Sequence, residues 1–156
     1  MDGVSLLRRA RAAGLAVAAE ASGKLLIRGP RREEATARLL LDHKPAVIAA
    51  LAAEWRARYR KVLAQWSTFR PAETAARIAW GELENHWHRL HSARAPAGQC
   101  AGCGAAIGDR EALTLGDGNR VHLDRIACLL AYGERWRGEA TAGLKWFGLD
   151  PPADLD

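Results

Sequence analysis

The chain has 156 residues and a formal net charge of +5, with 49% apolar and 26% charged residues. That length holds one ordinary domain or two small ones, and a high apolar share with mixed charge excludes wholesale disorder. No run approaches the roughly 20 consecutive apolar residues of a membrane helix, and Arg8, Arg9 and Arg11 interrupt the stretch where a signal peptide would need continuity.

Much of the apolar share is alanine, so six Trp and the Leu/Ile/Val set must supply the core. A reducing, cytoplasmic setting is expected, where three cysteines read as metal ligands rather than disulfides. Charge is uneven along the chain. Residues 1–98 carry 17 Lys/Arg against 9 Asp/Glu, and residues 99–156 carry 6 against 9. A basic N-terminal part suits nucleic acid or an acidic protein surface; it is equally what an Arg-rich solvated surface looks like.

The first expected helix is capped by Ser5, carries Leu6, Leu7 and Ala10, and stops at Gly14. Leu15–Glu20 alternates, with Leu15, Val17 and Ala19 on one side. The turn 21–24 leads into a returning strand, Leu25–Arg28. After Gly29-Pro30, a second helix covers Glu33–His43 and buries Ala35, Leu39 and Leu40. A third begins at Pro45 and runs to Trp66, with Ile48, Leu51, Trp55, Tyr59, Val62 and Trp66 on one face. A fourth spans Ala72–His91, with Ala76, Ile78, Trp80, Leu83, Trp87 and Leu90 as its apolar set. Residues 93–99 read as a linker. A hairpin of Ala112–Leu115 and Arg120–Leu123 follows, then a helix from Asp124 to about Phe147, halted by Pro151-Pro152.

The organisation expected is α+β and mostly helical: a small helix–hairpin–helix–helix module at 1–53, a helical connector at 54–93, a linker at 94–99, a zinc module at 100–150 and a frayed tail at 151–156.

Cys100-Ala-Gly-Cys103-Gly104 carries the chemistry. Two cysteines separated by two residues place both thiolates on one tight turn, and the following glycine lets backbone amides fold back toward the sulfurs. His122 ends a strand and Cys128 lies in the first turn of a helix. Knuckle, hairpin and helix start together match a treble-clef or zinc-ribbon-like site. Three thiolates and one imidazole complete a tetrahedron, leave no position for water, and so imply one structural Zn2+. All three cysteines are used. A module of about 50 residues with few large apolar groups needs such a staple.

His86, His88 and His91 form a second cluster. On a helix they do not share one face, and they read as surface and interface histidines, with one of them an alternative to His122 as fourth ligand. No phosphate loop, nucleophile elbow or zinc-protease motif is present. Asn119 and His122 superficially suggest an HNH nuclease, but His122 is wanted by the metal and no partner histidine completes a catalytic pair. The chain therefore reads as a non-enzyme.

Leu6-Leu7 followed by Gly14, an apolar strand, Gly23-Lys24-Leu25, Arg28-Gly29-Pro30 and Asp42-His43-Lys44-Pro45 are the elements by which residues 5–51 resemble the TubC N-terminal docking domain family. The resemblance implies a fold whose exposed strand captures a short segment of a partner protein. Here that strand carries Leu25, Ile27 and Arg28, with Arg31 and Arg32 suited to an acidic segment. Residues 100–149 are similar to zinc modules of uncharacterised bacterial proteins carrying that domain. Two functions follow. One is a protein–protein adaptor, of mobile-element origin and acting on a host complex. The other is non-sequence-specific DNA binding through Arg56, Arg58, Arg60 and Lys61. The partner's identity and the oligomeric state are not readable from the residues.

Overall fold

A computed structural model describes residues 2–109 and 111–153. Its residues group into two compact units, one of Met1–Leu83 with Ala142–Asp156 and the other of Glu84–Thr141. The fold is α+β and mostly helical, with two small antiparallel sheets of two strands each.

In the first unit, α1 (Gly3–Ala12) begins on Asp2, whose carboxylate accepts the Ser5 backbone N–H at 2.9 Å and the Ser5 hydroxyl at 2.8 Å. Ser5, expected as the cap, is therefore the donor inside the first turn. Asp2 lies three residues earlier in extended conformation, which is what a capping side chain needs to reach that N–H. The helix stops at Gly14 as expected: Leu15 N–H bonds to Ala10 O and Gly14 N–H to Arg11 O, which turns Leu15 back into the core.

β1 (Ala16–Ala19) pairs with β2 (Leu25–Arg28), Val17 opposite Ile27 and Ala19 opposite Leu25. Leu15, Val17 and Ala19 are buried, and so is Ala18. A short 3-10 turn, Arg31–Glu33, precedes α2 (Glu34–Asp42). Leu40 is fully buried and Leu39 half-buried, but Ala35 is exposed, because this nine-residue helix meets the core only near its C-terminal end.

α3 (Lys44–Ser67) buries Leu51 and Trp55 of its expected face and half-buries Ile48, Tyr59, Val62 and Trp66. Val47 and Ala50 are buried as well, since α1 packs along this end; the Arg11 guanidinium and Glu54 carboxylate pair across the two helices through two bonds of 2.7 Å. In α4 (Ala72–His91), Ala75, Ala79, Trp80 and Leu83 are buried within this unit, with Trp80 edge-on to Tyr59 at 6.3 Å. Trp55 stacks on Phe147 at 6.4 Å. An aromatic side chain hides about 150–250 Å², worth at most about 4–6 kcal/mol at about 25 cal/mol per Å². Trp55 and Trp80 thus compensate for the alanine-rich helices around them.

The second unit holds the end of α4, the segment 92–99, the Cys100–Gly104 knuckle, β3 (Ala112–Thr114), β4 (Arg120–His122) and most of α5 (Ile126–Trp146). The hairpin forms where expected, each strand one residue shorter, with Ala112 opposite His122 and Thr114 opposite Arg120. Leu90, expected to be apolar core, is 36% exposed; Trp87 one turn earlier takes the buried position. α5 starts two residues after Asp124. It ends not at Pro151-Pro152 but at Gly148, whose φ of +79° lets Leu149 N–H reach Leu144 O and Gly148 N–H reach Lys145 O. Of the expected tail, Pro151–Ala153 has no helix or strand, and residues 154–156 lie outside the described residues.

Candidate metal centre

The knuckle forms because Gly104 N–H bonds back to Cys100 O at 2.8 Å, closing the turn between the first two sulfurs. Cys100 N–H bonds to Ala105 O and Ala101 N–H to Arg120 O, which fastens the knuckle to the start of β4. β4 then delivers His122, and the first turn of α5 delivers Cys128. Cys100, Cys103, His122 and Cys128 come together with all four donor atoms within 4.8 Å of one another.

The separations test what such a cluster can hold. Zn–S and Zn–N bonds of about 2.3 and 2.0–2.1 Å at a tetrahedral angle put a sulfur and a nitrogen ligand roughly 3.5–3.6 Å apart. His122 Nδ1 lies 3.5 Å from Cys103 Sγ and 3.6 Å from Cys128 Sγ. The other ring nitrogen, Nε2, is 3.2 Å from Ala106 O, so it donates there and leaves Nδ1 with its lone pair toward the sulfurs. Donor set and spacing are consistent with one structural zinc ion. Four protein donors complete the tetrahedron.

The thiols differ. Burial opposes ionisation of Cys100, but the backbone N–H groups of Cys103, His122 and Gly102 outweigh it and bring the thiol down to about 6. Burial pushes Cys128 up to about 11, reinforced by the neighbouring sulfurs of Cys103 and Cys100. Three sulfurs in one small volume cannot all ionise unaided, and a divalent cation resolves that conflict.

Comparison with protein-family models, with curated proteins and with solved structures found no match. The centre is accordingly characterised by its own geometry.

None of the three histidines of α4 enters the cluster. His91 stacks on Trp87 at 3.9 Å, and its Nδ1 lies 2.9 Å from Trp87 O. His86 lies on a different turn face, half-buried. His88 stacks on Trp136 at 4.6 Å and joins a polar network that the pattern of residues did not suggest. His88 Nε2 lies 3.2 Å from Asp117 Oδ2 and 3.1 Å from the Tyr132 hydroxyl, which itself donates to Asp117. Asn119 Nδ2 donates to Asp117 Oδ2 at 2.7 Å and to Ala93 O at 3.2 Å, while its Oδ1 accepts Ala95 N–H at 2.8 Å.

Burial disfavours the Asp117 carboxylate, but donation from Tyr132 and Asn119 holds its pKa below the ordinary carboxylate value. Burial and the bond to Asp117 together push the Tyr132 phenol up to about 12. Asn119, read from the sequence only as an echo of a nuclease, therefore ties residues 93–95 to the metal-bearing hairpin. Asn119→Ala would strip the partner from Ala95 N–H and one of several donors from Asp117. An unsatisfied buried group costs about 1–3 kcal/mol, and that loss is expected in urea unfolding of the zinc-loaded chain.

The other expected site residues all lie in the first unit. Leu25 is buried, Ile27 is half-buried, and Arg28, Arg31 and Arg32 are exposed. Arg56 donates to Phe147 O at 3.0 Å and so helps close the end of α5. Arg58, Arg60 and Lys61 are exposed, and none makes an ion pair among the described residues. No described helix is long and apolar enough to cross a membrane.

Proposed function

We propose that this zinc-stabilised protein is a non-catalytic adaptor that captures an extended, acidic segment of a partner protein on the outer edge of β2. The observation that carries this reading is the sheet order. β2 pairs with β1 alone, and no third strand lies beyond it among the described residues. A strand edge presents a row of N–H and C=O groups that an added strand satisfies.

The edge is also charged. Arg28 closes the strand, Arg31 and Arg32 follow within four residues, and among the described residues only Arg32 has an ion-pair partner, Glu33 at 3.7 Å. Exposed cations beside a short edge deter pairing between like copies and favour an acidic partner strand. The resemblance of residues 5–51 to a docking family supports the same use of the same strand.

DNA binding is the competing use of the basic surface, through Arg58, Arg60 and Lys61 with Arg56 partly engaged at the end of α5. One titration separates the two. The full zinc-loaded chain is mixed with a labelled peptide of alternating Glu and Val, and separately with labelled duplex DNA, each at low and near-physiological salt.

The adaptor reading expects peptide binding with new hydrogen-exchange protection of those Leu25–Arg28 amides that do not face β1. It also expects at least about a tenfold loss of affinity on charge reversal of Arg28, Arg31 and Arg32, equivalent to about 1.4 kcal/mol. Micromolar DNA binding that falls steeply with salt, with the β2 amides unprotected by peptide, would replace it with phosphate recognition.

A further inference from the structure

The four donors of the metal centre are unequal in access. Cys100, His122 and Cys128 are 1%, 2% and 4% exposed, whereas Cys103 is exposed at the surface of the knuckle. Both other sulfurs lie within 4.8 Å of its sulfur. Cys100 Sγ is further screened by the amides of Cys103, His122 and Gly102. One thiolate thus faces solvent with two concealed thiolates at its back.

In the second unit the buried apolar cluster around the centre consists of Cys100, Ala101, Ile107, Val121, Cys128 and Tyr132, so two of its six members are ligands themselves. Loss of the ligand bonds removes the centre of the core rather than an ornament of the surface.

Building on the zinc assignment, we infer that Cys103 is an oxidation site through which a peroxide dismantles this unit reversibly. The Cys103 thiolate attacks one peroxide oxygen; a sulfur–oxygen bond forms, the oxygen–oxygen bond breaks, and hydroxide leaves. A buried thiolate, Cys100 or Cys128, then attacks the Cys103 sulfenic sulfur; the disulfide forms and a second hydroxide leaves. Two thiolates lose two electrons in total, the peroxide gains them, and two of the four donors can no longer hold a cation. This is the reversible rung of cysteine oxidation, undone by a dithiol reductant. Access rather than sulfur chemistry selects the residue, because the attacking species must be a thiolate that the oxidant can reach.

The test uses the full zinc-loaded chain, hydrogen peroxide, a chromogenic zinc chelator and a sulfenate trap. The expected result is release of the zinc with loss of two hydrogens in mass, trapping at Cys103, and recovery of zinc binding after reduction. Cys103→His, first shown to carry zinc, is expected to slow release about tenfold or more, since imidazole does not enter the thiol ladder. Zinc retained through millimolar peroxide, or trap label on Cys100 or Cys128 with Cys103 unmodified, would overturn the inference while leaving the metal centre intact. A chain that carries no zinc before peroxide is added would overturn both.

Discussion

Cys100→Ser is expected to leave a chain that purifies with little zinc and a second unit that no longer melts cooperatively. Cys100 is 1% exposed and part of the core, its Sγ accepts amide N–H groups from three residues, and it shares the knuckle with Cys103. A serine hydroxyl is a poor zinc donor and leaves those buried amides facing a weaker acceptor.

Structural zinc in small modules contributes about 10–16 kcal/mol of apparent binding free energy near neutral pH. A small module's net stability is only a few kcal/mol. Losing even a third of the metal term therefore unfolds the unit. Zinc stoichiometry by elemental analysis and hydrogen exchange along the chain check this directly. Amides of β3, β4 and residues 126–141 should lose protection, while those of α1 and the β1–β2 hairpin keep theirs, because the first unit's core contains no ligand. Full zinc content with native protection across β3 and β4 would show the ligand assignment to be wrong.

The parts of this structure that the sequence makes legible are those set by local chemistry. β2 at Leu25–Arg28 and α4 at Ala72–His91 coincide with the expected bounds, because turn residues and a proline mark their ends. Cys100 and Cys103 are readable because a two-residue gap forces both sulfurs onto one turn, and His122 and Cys128 because they stand at a strand end and a helix start, where such a site draws its other ligands.

What escaped depends on partners distant in the chain. The network of His88, Asp117, Asn119 and Tyr132 joins residues up to 44 apart, and nothing in the spacing of a turn aspartate or a helix tyrosine announces it. Asp2 displaced Ser5 as the first cap because both are good capping residues at a plausible spacing, and only the backbone geometry decides between them. Val47 and Ala50 were missed on α3 because their burial comes from α1, whose position periodicity does not specify. Gly148, not the two prolines, ended α5, since a left-handed glycine closes the helix before a proline needs to.

The metal centre also depends on a residue that supplies no ligand atom to it. A Cβ built on Gly102 would sit 2.2 Å from Cys128 O and 2.7 Å from Cys128 C and Cα. Those are backbone atoms, so no rotamer change relieves the overlap. The knuckle carrying Cys100 and Cys103 must move away from the helix start carrying Cys128, by something on the order of 1 Å. Zinc ligand distances tolerate about 0.2 Å, so the displacement falls on the coordination itself. Gly102→Ala is expected to weaken zinc binding by about a hundredfold or more, roughly 2.7 kcal/mol, measured by competition with a calibrated chelator. Gly116→Ala is the matched control: its Cβ would meet nothing within 4 Å and its φ is not positive, so zinc affinity there should stay unchanged. If both variants bind zinc within threefold of the parent chain, the knuckle and the start of α5 are not in the close contact that brings Cys128 to the other three ligands.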